Sequence, residues 1–401
     1  MIKIGIIREG KSIPDYRVPL TPQQCLHIKN NYKDIEIYVQ PSPTRCFNDS
    51  EYAELGITMQ EDLSECDVLF GVKEVPIPFL IRNKTYFFFS HTKKKQPYNR
   101  PLMHALIARN IKMIDYEALT YDDGSRIIGF GYFAGVVGAH NGIMAYGKKT
   151  KQFSLIPAHV CKDMNEMLQQ YNNVALPPVK IIVTGSGKVT SGIIEIMNRW
   201  DIQSVEPNDF INNTYSHPVY TLLKGASLYQ HKETGEYSRK DFYAHPEQYK
   251  CVFEKYATNA DILMNGIYWD TKIAPLFTNN EVKTNKIGLK VIADVTCDPF
   301  GSVPINVGVS LIADPVYGIE KATLQKTTPF QTSDNTIDIM AVDNLPNELP
   351  RDASEYFGNK LIKYIIKELQ AEKSDILDRA TICENGKLTS TFEYLSDYAY
   401  G

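Results

Sequence analysis

Two ionisable side chains stand directly after apolar runs. Lys73 follows Asp67-Val68-Leu69-Phe70-Gly71-Val72, and His91 follows Thr85-Tyr86-Phe87-Phe88-Phe89-Ser90. Both runs read as buried β-strands, which places each group at a strand end. In an open α/β sheet, ligands bind beyond the carboxyl ends of the strands. An amine and an imidazole placed there can run two different proton transfers, provided burial or a neighbouring cation lowers the lysine pKa. Taken singly, such a lysine is a snorkelling surface cation and such a histidine a bonded structural one. Their occurrence together is what points to chemistry. Glu117 follows a third run, Met113-Ile114-Asp115-Tyr116, and is expected to orient His91 through a hydrogen bond. Arg17, Lys93, Lys94, Lys95 and Arg126 fall in loops near these strand ends. That cationic setting suits a substrate with several carboxylates. Within the lysine triplet one residue is expected to take part, and the others to form a solvated loop.

A second constellation lies further along. Ile181-Ile182-Val183-Thr184 runs into Gly185-Ser186-Gly187-Lys188, and a helical pattern (Ile193, Ile194, Ile196, Met197) follows. Strand, glycine turn and helix are the parts of a dinucleotide-binding βαβ unit. A pyrophosphate must reach backbone N–H groups at the helix N-terminus, and side chains at Gly185 and Gly187 would keep it out. The third glycine of the usual spacing falls at Thr190, and Gly192 comes two residues late. Glu206, about twenty residues on, is the acidic residue expected at the end of the second strand. On charge alone it would bond a ribose 2′-OH and repel a 2′-phosphate, favouring NAD.

These groups need elements to hold them. Strands are predicted at 2–7, 36–39, 67–72, 85–89 and 113–116, alternating with helices at 22–31 and 99–109. Thr21 is the expected N-cap of the first helix, with Pro22 at its first position. The glycine- and alanine-rich stretch 133–147 reads as one long, closely packed helix joining two halves. Further strands are expected at 262–266, 290–294 and 337–342. The tyrosine-rich stretch 211–250 reads as a polar surface insert. A C-terminal amphipathic helix is predicted over 352–372, with Phe357, Leu361, Ile365 and Leu369 on its apolar stripe.

Composition narrows the class. At 401 residues, two domains are the default. The net charge of −4 argues against a nucleic-acid partner. No stretch has the ~20 apolar residues of a membrane span. The seven cysteines are dispersed with no C-x-x-C pair, the pattern of reduced thiols, so a cytoplasmic location is expected. No metal-ligand spacing occurs among the eight histidines.

Several stretches together resemble a family: Tyr16-Arg17-Val18-Pro19-Leu20-Thr21-Pro22, Gly71-Val72-Lys73, Lys84 to Thr92, Ile114-Asp115-Tyr116-Glu117, Phe130 to Gly135, Asn265-Gly266-Ile267-Tyr268-Trp269 and Asp343-Asn344-Leu345-Pro346. They resemble the lysine-forming saccharopine dehydrogenases and, more closely, the lysine–2-oxoglutarate reductase half of the bifunctional lysine-degradation enzyme, within the alanine dehydrogenase and transhydrogenase group. The resemblance implies two Rossmann-like α/β domains, each a mostly parallel sheet flanked by helices, with a cleft between them. One domain would comprise 1–132 with 343–401 and hold the substrate; the other, 133–342, would hold the dinucleotide.

It also implies that saccharopine, NAD or NADP in its oxidised form and water are interconverted with lysine, 2-oxoglutarate and the reduced cofactor through an imine. Lys73 and His91 would be the acid–base pair and Glu117 the carboxylate that tunes it. Arg17, Lys94 and Arg126 would bind substrate carboxylates. Gly185, Ser186, Gly187, Lys188, Glu206, Asn265, Gly266, Asp343 and Asn344 would contact the cofactor. Here Val205-Glu206-Pro207 resembles the NADP-using relatives, against the charge argument, so NAD and NADP both stay open, as do direction and oligomeric state. The rival readings are an alanine- or opine-type amino-acid dehydrogenase and a cofactor-binding protein without catalysis.

Overall fold

The computed structural model describes residues 1–401. Its first strands are β1 (Ile2–Ile6), β2 (Ile35–Val39), β3 (Thr58–Met59), β4 (Val68–Phe70), β5 (Thr85–Phe88) and β6 (Lys112–Asp115). Next come β7 (Lys180–Thr184), β8 (Gln203–Ser204), β9 (Val219–Leu223), β10 (Tyr229–His231), β11 (Tyr249–Cys251), β12 (Ile262–Asn265), β13 (Val291–Asp294), β14 (Val316–Glu320), β15 (Lys326–Thr327) and β16 (Thr336–Met340). The chain finishes with β17 (Thr381–Glu384) and β18 (Lys387–Leu388).

The chain divides into two compact units: residues 1–130 with 350–401, and residues 131–349. Unit 1 carries an eight-stranded sheet in the order β18-β17-β6-β5-β4-β1-β2-β3. It is parallel from β6 to β3, with β17 and β18 antiparallel at one edge. The interior strands are β-branched and aromatic, and β4 is buried along its whole length, as expected of a parallel sheet covered on both faces. Thr21 caps the helix Pro22–Asn31 in a capping box with Gln24. The predicted C-terminal helix is regular only over Pro350–Leu361; a π turn (Ile362–Ile366) and a short 3₁₀ turn (Glu368–Gln370) continue it. Phe357, Leu361, Ile365 and Ile366 are buried in the core of unit 1.

Unit 2 has a second eight-stranded sheet, in the order β15-β14-β16-β13-β12-β7-β9-β8. It is parallel from β16 to β8. The helix Gly131–Thr150 crosses the helix Lys188–Arg199 so closely that only glycine fits at the contact. A Cβ on Gly135 would lie 1.9 Å from the carbonyl oxygen of Val189, and one on Gly192 would lie 2.0 Å from that of Tyr132. Backbone thus packs on backbone at this crossing, while Gly138 and Gly142 further along the helix let the side chains of Val295 and Ala293 approach it.

The stretch 211–250 is not the surface insert the sequence suggested. Val219–Leu223 forms β9, an interior strand that pairs with β7 along its full length. β10 and β11 make a small antiparallel hairpin, and Tyr229, Phe242 and Tyr249 are buried in the unit 2 core. As a result β8, the strand before Glu206, is displaced to the sheet edge and does not neighbour β7.

Candidate active site

In unit 1 the strand order reverses beside β1: β2 and β3 lie on one side, β4 to β6 on the other. Glu9, Lys73, His91 and Glu117 all follow the carboxyl ends of strands β1, β4, β5 and β6. A switch point of this kind is where open α/β sheets hold ligands.

Backbone geometry fixes the pieces. Glu9 accepts hydrogen bonds from the N–H groups of Val72 and Lys73, at 2.7 and 2.9 Å, and so ties the β4 loop to β1. Desolvation outweighs those bonds and pushes the Glu9 carboxyl up to about 8. Desolvation also lowers the Lys73 pKa, and the nearby Arg17 cation lowers it further. Arg17 itself is buried, donates from Nε to Asp15 at 2.9 Å and lies 4.2 Å over the Phe130 ring.

His91 adopts a left-handed backbone conformation (φ 52°), uncommon for a residue with a Cβ. It is braced on each side. Ser90 and Thr92 are fully buried and share a hydroxyl–hydroxyl bond of 2.7 Å. Asp115, at the end of β6, accepts from the Ser90 N–H at 3.1 Å and from the Ser90 hydroxyl. Asn99 donates to the Ser90 carbonyl at 3.0 Å and to Glu74 Oε1 at 3.1 Å.

The carboxylate that orients His91 is Glu74, not Glu117. His91 Nδ1 lies 2.8 Å from Glu74 Oε1, and Lys11 Nζ donates to Glu74 Oε2 at 2.8 Å. Burial alone would raise the Glu74 carboxyl. The bonds from His91, Lys11 and Asn99 win, and hold it well below the usual carboxylate range. The His91 side chain keeps 28% exposure, against 7% for Glu74, so the anion is sheltered and the ring remains accessible. Glu117 instead receives Arg126 Nη2 at 2.7 Å. Lys94 is exposed at this end of the sheet, and Lys95 pairs with Asp397 at 2.6 Å. Glu74 could have been found in the sequence, since it directly follows Lys73 at the same strand end.

In unit 2 the order reverses beside β7, with β9 and β8 on one side and β12 onward on the other. A cavity of about 760 Å³ opens at that point, within the range of small-ligand sites. The loops after β7, β9 and β12 line it with Gly185, Ser186, Gly187, Lys188, Lys224 and Gly266. Gly185 has φ +102°, and a Cβ there would meet the Gly266 carbonyl oxygen at 2.5 Å. A Cβ on Gly187 would meet nothing and would project into open space. Thr190, in place of the third glycine, donates its hydroxyl to the Thr184 carbonyl at 3.2 Å and closes the turn. A glycine cradle at the start of a twelve-residue helix, lined with cations, fits a dinucleotide pyrophosphate.

Asn265 is wholly buried and supports the cradle from behind. It accepts from the Thr184 hydroxyl at 2.8 Å and donates to Asp294 Oδ1 at 2.9 Å and Ser302 Oγ at 2.8 Å, locking β7, β12 and β13 together. Asp294 is raised by its burial. Glu206, Asp343 and Asn344 do not line the cavity: Glu206 precedes the helix Pro207–Asn212 beyond β8, with no hydrogen bond from its side chain to that helix, and Asp343 and Asn344 follow β16.

Two α/β units, one with titratable groups at its switch point and the other with a glycine cradle, make up the fold, and the comparisons find the same architecture. The model of the alanine dehydrogenase/PNT N-terminal domain matches residues 5–137. The chain is 28% identical over 439 residues to the alpha-aminoadipic semialdehyde synthase of Arabidopsis thaliana, with 98% of this chain and 41% of the relative covered. It is 29% identical to the mitochondrial alpha-aminoadipic semialdehyde synthase of Rattus norvegicus, covering 98% and 47%. The chain thus spans less than half the length of these relatives. The saccharopine dehydrogenase [NAD(+), L-lysine-forming] of Yarrowia lipolytica is 24% identical, covering 94% and 95%. Among solved structures, an L-alanine dehydrogenase shares the fold with a TM-score of 0.68 at 15% identity, covering 99% and 100%. The chain is thus similar to the alpha-aminoadipic semialdehyde synthases and, at lower identity, to the lysine-forming saccharopine dehydrogenases, the group that the sequence motifs resemble. No helix is long and apolar enough to cross a membrane.

Proposed function

We propose that this chain is an NAD(P)-dependent oxidoreductase that interconverts saccharopine with lysine and 2-oxoglutarate. The balanced reaction is saccharopine + NAD(P)⁺ + H₂O ⇌ lysine + 2-oxoglutarate + NAD(P)H + H⁺. The observation that carries it is the contrast between Lys73, whose pKa is lowered by burial and by Arg17, and His91, held at Nδ1 by the buried Glu74 anion. Two groups in different environments at one strand-end cluster suit a reaction that moves protons at an amine and at a carbinolamine.

In the oxidative direction Lys73 accepts the proton of the secondary amine. The nicotinamide, when bound, supplies the hydride acceptor. His91, with Nδ1 tied to Glu74, uses Nε2 to activate water against the imine carbon. It then returns a proton to the departing amine as the carbinolamine collapses. Glu117 and its partner Arg126 tune this pair, and Arg17, Lys94 and Arg126 meet the three carboxylates of saccharopine. Gly185, Ser186, Gly187 and Lys188 hold the cofactor pyrophosphate, and Asn265 keeps that loop in place.

The test is product identification. Purified protein incubated with lysine, 2-oxoglutarate and NADPH or NADH should yield a species with the mass of saccharopine. Glutamate formed from 2-oxoglutarate and ammonia, or alanine from pyruvate and ammonia, with no product from lysine, would contradict the proposal and establish a simple amino-acid dehydrogenase.

A further inference from the structure

The loop that carries His91 and Lys94 has an unfavourable backbone shape. His91 and Lys95 both adopt left-handed conformations, at φ 52° and 53°, and neither is glycine. Residues of this kind keep such a conformation where their surroundings over-determine it. Ser90, Thr92 and Asp115 supply the brace on the strand side of the loop. Residues 93–96 lie beyond that brace and are held from elsewhere.

The second brace comes from about three hundred positions away. A 3₁₀ turn (Ser390–Leu395) and a short helix (Ser396–Tyr400) lie against the loop. The Tyr394 hydroxyl donates to the Lys93 carbonyl at 3.2 Å. Asp397 accepts from Lys95 Nζ at 2.6 Å, and the Tyr398 hydroxyl donates to the Gln96 carbonyl at 2.6 Å. The contacts therefore fall on Lys93, Lys95 and Gln96. Lys94, between them, is exposed and its side chain has no partner. The bracing segment is itself fixed. Phe392, Leu395, Tyr398 and Ala399 are buried in the unit 1 core. Arg100 donates to the carbonyls of Asp397 and Tyr398 at 3.1 and 3.2 Å. Burial raises the Tyr394 phenol, and the charges of Asp115 and Glu117 add to it, so this ring stands at the end of β6 beside the titratable cluster.

We infer that Tyr394, Asp397 and Tyr398 are positioning residues that hold residues 93–96 in shape and thereby present Lys94 to a substrate carboxylate. This rests on the substrate role proposed above for Lys94 and deepens it. The three contacts are unequal. The Lys95–Asp397 pair is exposed, at 39% and 72%, where an ion pair contributes little. The Tyr398 hydroxyl sits on a buried ring, and one net hydrogen bond is worth about a two- to tenfold factor. Tyr398→Phe should therefore have the largest effect and Asp397→Asn the smallest.

The experiment is steady-state kinetics of the full chain with lysine, 2-oxoglutarate and NADPH. The variants are Tyr394→Phe, Tyr398→Phe and their double variant, each alone and combined with Lys94→Met. In the double tyrosine variant the KM of one carboxylate substrate should rise about three- to tenfold. Its kcat and its NADPH affinity should stay within about twofold of wild type. Lys94→Met should raise the same KM, and adding the tyrosine substitutions to it should raise that KM no further. Asp397→Glu should keep the wild-type KM. An unmoved KM in the double tyrosine variant would overturn the inference. So would full additivity with Lys94→Met, or a joint loss of kcat, KM and NADPH affinity, which marks a structural role alone. Turnover with ammonia and an oxo acid but not with lysine would overturn the proposed reaction, and the same KM comparison on that oxo acid would still decide the positioning role. No turnover with any amine and oxo acid would overturn both.

Discussion

In both units the strand order reverses beside one strand, β1 against β4 and β7 against β12, and the loops leaving those strands form the candidate site. Unit 1 fills that place with side chains that titrate. Glu9 is pushed up, Lys73 pushed down, and Glu74 held anionic against His91. Unit 2 fills the corresponding place with the absence of side chains, at Gly185, Gly187 and Gly266, and with cations that have no acidic partner. Similar sheets thus carry a cluster of titratable groups in one case and a glycine-lined, cationic cavity in the other, the proposed proton-transfer site and the proposed anion cradle. The scaffold sets where a site can be, and the two or three residues after each strand set what it does.

Substitutions that should affect one unit's role and spare the other test this division. The largest effect is expected for Lys73→Met. Loss of the base should lower kcat by about 10²–10⁴-fold, read as lysine-dependent NADPH oxidation at 340 nm. A turnover above about a tenth of wild type would remove Lys73 from its assigned role. Next is Gly187→Val. A Cβ at Gly187 meets nothing, so the melting temperature should hold while the side chain fills the cradle. NADPH affinity is expected to fall by about tenfold or more. A drop in Tm with unchanged affinity would show that Gly187 serves the fold alone.

Glu74→Gln sharpens the unit 1 side. The ring of His91 loses its anionic anchor, and kcat should fall by about ten- to a hundredfold. The pH dependence of kcat should change shape while NADPH binding stays as in wild type. A fall in kcat with the pH profile unmoved would reduce Glu74 to a structural role.

The smallest effect concerns Glu9. Its folded pKa of about 8 lies above the ordinary 4.5, so the folded chain holds this proton more tightly than the unfolded chain. That contribution to stability is complete below about 4.5 and is lost as pH rises to about 8. Glu9→Gln should therefore flatten the decline in Tm across that interval. A decline as steep as that of the wild type would assign it to other groups.

Much of this division is legible in the sequence, and the exceptions share a cause. The turn Gly185-Ser186-Gly187 is local chemistry, so its residues announce it. Lys73 and His91 are legible because an apolar run ends immediately before each. Glu74 is harder to see as the partner of His91. The left-handed backbone at His91 and the brace from Asn99 and Asp115 bring residues seventeen positions apart within 2.8 Å, and neither is a local pattern. The same holds for β9. Val219-Tyr220-Thr221-Leu222-Leu223 is a β-branched and aromatic run bounded by His217-Pro218 and Lys224-Gly225, which is a strand signature set within polar surroundings. That β9 enters the sheet between β7 and β8 follows from long-range pairing. Consecutive strands are neighbours in most sheets, and this one departs from that habit at the place where the cofactor ribose would be read.

The most direct test of the division is the NADPH affinity of the double variant Lys73→Met/His91→Gln, followed by addition of lysine and 2-oxoglutarate to the bound protein. A dissociation constant within about twofold of wild type is expected, because no cradle residue is altered, together with no lysine-dependent oxidation. Loss of NADPH affinity in step with turnover would contradict the assignment of chemistry to unit 1 and of cofactor binding to unit 2.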